Sequence, residues 1–127
     1  MSKQPTTSEL EILNILWEKQ SATVRQVFEI ISATKPITYT TVLKLMQIMT
    51  EKDLVERDEQ SKAHLYRAKI AQSETQKGMV SELLEKVFRG SAMELMQHIL
   101  ESKKTSPAEM KEIRRMIAKA EKEAKNE

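Results

Sequence analysis

Thr40, Thr41, Lys44 and Gln47 fall close together at spacings of one, three and three residues. On a helix, Thr40, Lys44 and Gln47 share one face, with Thr41 and Ile48 on its flank and Glu51 a turn beyond. Hydroxyl, ammonium and carboxamide groups suit the base edges of a DNA major groove: threonine for a phosphate or a thymine methyl, lysine for guanine, glutamine for adenine. Glu51 would repel phosphate, which puts it toward the end leaving the nucleic acid. The same face is also an ordinary solvated helix surface, since short Thr-Lys-Gln combinations are common.

Two further groups have chemistry of the same kind. Lys62 sits in a polar turn, Glu59-Gln60-Ser61-Lys62, with Arg57 and Arg67 on the flanking segments. These cations can reach phosphate or the minor groove. Thr23 opens a helical segment, and the amides of Val24 and Arg25 behind it suit an anion. Each signal is weak singly, and they gain weight by falling on one side of a common fold.

No enzymatic constellation accompanies them, so no enzyme is expected. The two histidines, His64 and His98, lie far apart and lack metal-ligand spacing. The chain has two glycines and no glycine-rich phosphate loop. With no cysteine it forms no disulfide, thiolate metal site or thiol nucleophile, which fits a reducing compartment. No cofactor and no metal are expected.

The elements that must position these residues follow from periodicity and caps. Ser8 and Glu11 read as a capping box for a first helix running to about Lys19, with Leu10, Leu13, Leu16 and Trp17 inward. Thr23 and Gln26 repeat the device for a second helix with Val24, Val27, Phe28 and Ile31 inward. Lys35-Pro36 breaks the pattern. Thr38 caps a third helix whose stripe is Val42, Leu45, Met46 and Met49, ending near Lys52-Asp53. Strands are expected at Leu54–Asp58 and His64–Ile70. Three helices and a hairpin in about seventy residues is the order of a winged helix-turn-helix. A short strand at Ser21–Thr23 often completes such a sheet, but the sequence does not display it.

Beyond Ala71 the pattern is helical. A fourth helix, capped by Ser73, carries Met79, Val80, Leu83, Leu84, Val87 and Phe88, and Gly90 stands where a C-terminal cap glycine would. A fifth carries Met93, Met96, Ile99 and Leu100. Ser106-Pro107-Ala108-Glu109 opens a sixth, with Met110, Ile113 and Ile117 inward. The charged tail from Lys119 to Glu127 is expected to fray. The fold class is therefore mainly α with a small β-hairpin, divided into a winged-helix domain, residues 1–71, and a helical dimerisation domain, residues 72–127. Roughly 55 residues are too few to bury a sufficient core alone. A homodimer joined through Met79, Leu83, Leu84, Val87, Phe88, Met96, Ile99, Leu100 and Ile113 is the simplest remedy.

Composition permits this reading without pointing to it. Hydrophobic residues make up 39% and aromatics only 4%, so aliphatic side chains and eight methionines must fill the core. The net charge is +2, and the halves either side of Gln72 are each nearly balanced, with 10 basic against 9 acidic residues before it. A DNA surface must come from local placement of charge rather than a bulk basic field. No signal peptide or bilayer-length apolar run is visible, so the expectation is a cytoplasmic protein without direct membrane insertion.

At the third helix a resemblance becomes specific. Tyr39-Thr40-Thr41-Val42, then Leu45-Met46 and Met49, then Lys52-Asp53-Leu54-Val55 resembles the penicillinase-repressor (BlaI/MecI) family of winged-helix transcriptional regulators. Glu9 to Trp17, Lys62 to Tyr66 and Phe88 to Ser91 are similar to its opening helix, wing and interhelical link. The resemblance runs in order from about Ser8 to Ile117. It implies a dimeric repressor that binds double-stranded, palindromic operator DNA through its winged helix and dimerises through its C-terminal helices. In the family's best-known members a β-lactam sensor in the membrane triggers cleavage of the repressor, which implies a sensor-linked protease as partner and control of antibiotic-resistance genes. The family's scissile pair aligns with His98-Ile99. Lys44 and Ile48 depart from a frequent threonine and a frequent basic residue, Asp53 replaces a turn glycine, and Ser61 replaces a wing glycine. Two rival readings remain: a winged helix used for protein–protein contact, and a repressor controlled by a small ligand.

Overall fold

The structure is a computed structural model that describes residues 4–60, 62–102 and 104–126. Its elements run α1 (Thr7–Lys19), α2 (Val24–Ser32), α3 (Tyr39–Glu51), β1 (Val55–Asp58), β2 (Leu65–Ala68), α4 (Gln72–Lys86), α5 (Ala92–Glu101) and α6 (Pro107–Lys125). The chain divides into two compact units, one ending at Val80 and the other beginning at Ser81, so the division falls within α4.

In the first unit, α1 begins two residues earlier than Ser8 would set it. Thr6 is the cap: its hydroxyl accepts the Glu9 amide, and Glu9 accepts the Thr6 amide in return. Thr6-Thr7-Ser8-Glu9 and Ser8-Glu9-Leu10-Glu11 both satisfy the local pattern, so a tertiary partner decides. Both Glu9 oxygens accept hydrogen bonds from Lys52 Nζ at 2.8 Å, whereas Glu11 pairs with Lys35 at 2.7 Å.

Ile12, Leu13 and Leu16 of α1, Val24, Val27 and Ile31 of α2, and Val42, Met46 and Met49 of α3 meet in one core, closed by Ala22, Leu54, Val55 and Tyr66. Trp17, Phe28 and Leu45, expected inside, are half-buried against its edge. Trp17 Nε1 donates to the Ile70 carbonyl at 3.0 Å, which satisfies the indole and fixes the chain just before α4. There the Ala71 carbonyl accepts from the Thr75 amide, so α4 begins at Gln72 and Ser73 lies inside its first turn rather than capping it. Further along α4, the side chain of Gln4 occupies the space a Cβ on Gly78 would need.

β1 and β2 are antiparallel, with Val55 opposite Ala68, Glu56 opposite Arg67, Arg57 opposite Tyr66 and Asp58 opposite Leu65. Ala22 adds an antiparallel bridge to Tyr66, with backbone bonds of 3.0 and 2.8 Å. That is the third strand the sequence did not display, one residue long. The turn between α3 and β1 places Asp53 at φ 62°, the left-handed region where glycine is favoured and aspartate is among the few tolerated substitutes.

In the second unit, α4 ends at a left-handed turn, Arg89 at φ 50° and Gly90 at φ 83°, with the Gly90 amide bonded to the Leu84 carbonyl. Ser91 and Ser106 cap α5 and α6 through the amides of Glu94 and Glu109. The tail expected to fray is helical as far as Lys125, consistent with its run of Ala, Lys and Glu, all strong helix formers. Neither α5 nor α6 buries a single described residue in the lone chain.

Candidate nucleic-acid interface

The outward face of α3 is set by the core on its other side. With Val42, Met46 and Met49 fully buried, the 3.6-residue period turns Thr40, Lys44 and Gln47 into solvent, and all three are exposed. Thr38 starts the helix: its hydroxyl accepts the Thr41 amide at 3.2 Å and shares a hydrogen bond with the Thr41 hydroxyl at 2.8 Å. Thr41 is thus exposed but tied into the cap. Glu51 is the last residue of α3.

The start of α2 lies beside the start of α3. Thr23 and Gln26 exchange side-chain and backbone hydrogen bonds at 2.8 and 3.1 Å, outside which the first-turn amides of Val24 and Arg25 remain. The Arg25 guanidinium lies over the Tyr39 ring, 4.7 Å from its centroid, and 5.9 Å from that of Phe28. The two rings meet edge to face at 5.9 Å and 76°. This cation–π contact holds a flexible cation against the first residue of α3. A guanidinium held against a ring face keeps its charge and N–H donors for a phosphate.

The hairpin presents its two arginines to opposite sides. Arg57 pairs with Tyr66 and shares the face of buried Val55. Its guanidinium pairs with the Glu59 carboxylate, and the facing Tyr66 side chain together with Glu59 raises its pKa further above the ordinary arginine value. Arg67 lies on the other face, 2.7 Å from Glu56, which raises it likewise. Only Arg57 faces α3.

These pieces enclose an open cleft of about 360 Å³, whose walls include Thr23, Arg25, Tyr39, Gln47, Arg57 and His64. An adjoining cleft of about 290 Å³ shares Gln47, Arg57 and Tyr66 and extends to Thr50 and Glu51. The fold therefore brings Thr23, Arg25, Gln47 and Arg57 together beside the exposed face carrying Thr40, Thr41 and Lys44. Lys62 is exposed in the turn between the strands and does not line this cleft; Ser61 lies outside the described residues. Two cations and several hydrogen-bonding groups thus gather in a unit whose overall charge is nearly balanced. Tyr39, Tyr66 and His64 were not among the DNA-binding residues expected from sequence. Strand alternation from Val55 could have paired Arg57 with the core-facing side, whereas the Arg25–Tyr39 contact has no local signal.

The C-terminal residues form no comparable polar site. Met79, Leu84, Phe88, Met96 and Ile113 are half-buried, while Leu83, Val87, Ile99 and Leu100 are exposed. His98 and Ile99 stand in the last turn of α5, where their carbonyls accept the Ser102 amide, and the His98 ring lies 5.7 Å from that of Phe88. Among the described residues no group of three His, Cys, Asp or Glu could hold a metal ion, and no helix is long and apolar enough to cross a membrane.

Comparison with known proteins agrees with this geometry. A sequence model described as Penicillinase repressor matches residues 5–119. The transcriptional regulator BlaI of Mycobacterium tuberculosis H37Rv is 31% identical over 125 residues, covering 95% of this chain and 89% of the relative. The methicillin resistance regulatory protein MecI of Staphylococcus aureus N315 is 24% identical over 114 residues, covering 90% and 93%. Among solved structures, monomeric Bacillus licheniformis BlaI, in complex with the blaP half-operator, superposes with a TM-score of 0.50 at 20% identity. That match covers 56% of this chain and 87% of the other, and it bears out the expected winged-helix fold. By the extent of the family match and its likeness to both regulators, the chain belongs to the penicillinase repressor family.

Proposed function

We propose that the protein is a cytoplasmic transcriptional repressor, without enzymatic activity, that binds palindromic operator DNA as a homodimer. Residues 1–71 form the DNA-binding domain and residues 72–127 the dimerisation domain. Thr40, Thr41, Lys44 and Gln47 of α3 lie in the major groove, where Lys44 reads a base edge. Arg25 and Arg57 take phosphates on either side, with the α2 amides behind Thr23, and Lys62 reaches the backbone from the wing. The observation that carries this reading is the convergence of Arg25, Gln47 and Arg57 in one cleft beside the exposed α3 face. The likeness to regulators named for methicillin resistance supports β-lactam resistance genes as the targets.

Homodimerisation rests on the apolar side chains that α4, α5, α6 and the turn after α4 leave in water, among them Val87 at 62% and Met93 at 80% exposure. Such a surface marks an interaction site. Release by a sensor-linked protease cutting between His98 and Ile99 requires the last turn of α5 to unwind, since helical backbone resists cleavage better than a loop.

Titrating duplex selected by the full-length protein from a random pool tests the α3 assignment. Lys44→Ala should cost about 1–3 kcal/mol on that sequence and little on random DNA, whereas Lys62→Ala should weaken both alike and lower the salt slope by about one. A Lys44→Ala protein with unchanged affinity for both sinks the assignment.

A further inference from the structure

Among the described residues of α1 to α3 and the hairpin, three large apolar side chains are exposed: Ile30, Tyr39 and Ile48. Tyr39 carries Arg25 and meets Phe28. Ile30 lies on α2. Ile48, 37% exposed, stands on α3 one turn beyond Lys44, and belongs neither to the buried core nor to the half-buried residues packed against it. A β-branched residue there also costs the helix a few tenths of a kcal/mol relative to alanine. The fold gains nothing visible in return.

We infer that Ile48 determines specificity by packing on the 5-methyl group of a thymine in the operator; this rests on the proposed insertion of α3 in the major groove. Lys44 and Thr41 precede Ile48 by four and seven residues, so the three share a strip along α3. A helix in the major groove meets base edges made of hydrogen-bonding atoms, with one apolar exception among the unmodified bases, the thymine methyl. An exposed isoleucine within a polar reading face matches that group and no other base edge. Lys44 and Gln47 then read neighbouring pairs by hydrogen bonds, while Ile48 favours A·T over G·C at its own position.

The test replaces thymines one at a time by deoxyuridine, which removes the methyl and keeps the pairing edge, in the duplex selected by the full-length protein. One replacement should weaken wild-type binding about fourfold, equivalent to about 0.8 kcal/mol for burying one methylene-sized group. Ile48→Ala, at an exposed helical position where alanine is the better helix former, should bind thymine and deoxyuridine duplexes equally there; an unchanged thermal melt establishes that it folds. A selected duplex indifferent to every replacement overturns the inference and leaves the repressor reading standing, as does an Ile48→Ala variant that keeps the wild-type discrimination. Failure to select any duplex overturns both.

Discussion

Replacing Lys52 by methionine should destabilise the protein at neutral pH and hardly at all in acid. Glu9 is 2% exposed, and Lys52 Nζ donates to both of its oxygens at 2.8 Å while the Thr6 amide donates at 2.9 Å. Burial, the largest influence, pushes the Glu9 carboxyl up, but Lys52 and Thr6 together outweigh it, and the net pKa lies below the ordinary value. A depressed carboxylate contributes stability that is complete above its unfolded pKa of about 4.3 and is lost as pH falls through the lower folded value. Removing one partner of a fully buried pair costs about 3–5 kcal/mol, but Lys52 is itself 40% exposed and partly screened, so about 2 kcal/mol is the better figure at pH 7. For a unit of this size that lowers Tm by about 8–16 °C. Thermal melts by circular dichroism, at fixed protein concentration, should show this gap at pH 7 and its near disappearance at pH 3. A gap under about 3 °C at pH 7, or one unchanged at pH 3, refutes the reasoning.

Three other substitutions examine separate parts of the structure. Tyr39→Leu should weaken binding to random DNA as much as Arg25→Ala, and the double variant should lose no more than either alone; additive losses would show that the ring does not position the guanidinium. Asp53→Val should cost about 1–2 kcal/mol in a urea melt because its φ of 62° is hostile to a β-branched residue, and Asp53→Gly should cost nothing. Leu100→Glu should convert a dimer to a monomer in sedimentation while leaving the first unit folded, and a variant that stays dimeric would remove α5 from the interface.

What the sequence disclosed about this fold was local. Thr23, Thr38 and Ser106 could be read as caps because a cap involves residues three apart, and the stripes of α2 and α3 because a helix repeats every 3.6 residues. Ser8 failed as a cap because two equivalent patterns overlapped, and the choice lay with Lys52, 43 residues beyond its partner Glu9. Ala22 joins the sheet through one pair of backbone bonds, too short for any alternation to mark. The same division runs through the candidate site. Thr40, Lys44 and Gln47 could be read from one helix, whereas the cleft that adds Arg25 and Arg57 exists only once α2, α3 and the hairpin pack together. In the C-terminal helices the apolar stripes were legible, but the partner that would cover them is not encoded in one chain's contacts.

The most direct test of paired winged helices acting on one operator compares the affinity of full-length protein for an intact palindrome and for its isolated half-site across a salt series. Tethering makes the second contact intramolecular, so the palindrome should bind about 10²–10⁴-fold more tightly. Both affinities should fall linearly in log–log form with salt, the palindrome with the steeper slope because twice as many phosphates are neutralised. Equal affinities for palindrome and half-site, or binding indifferent to salt, would contradict the account.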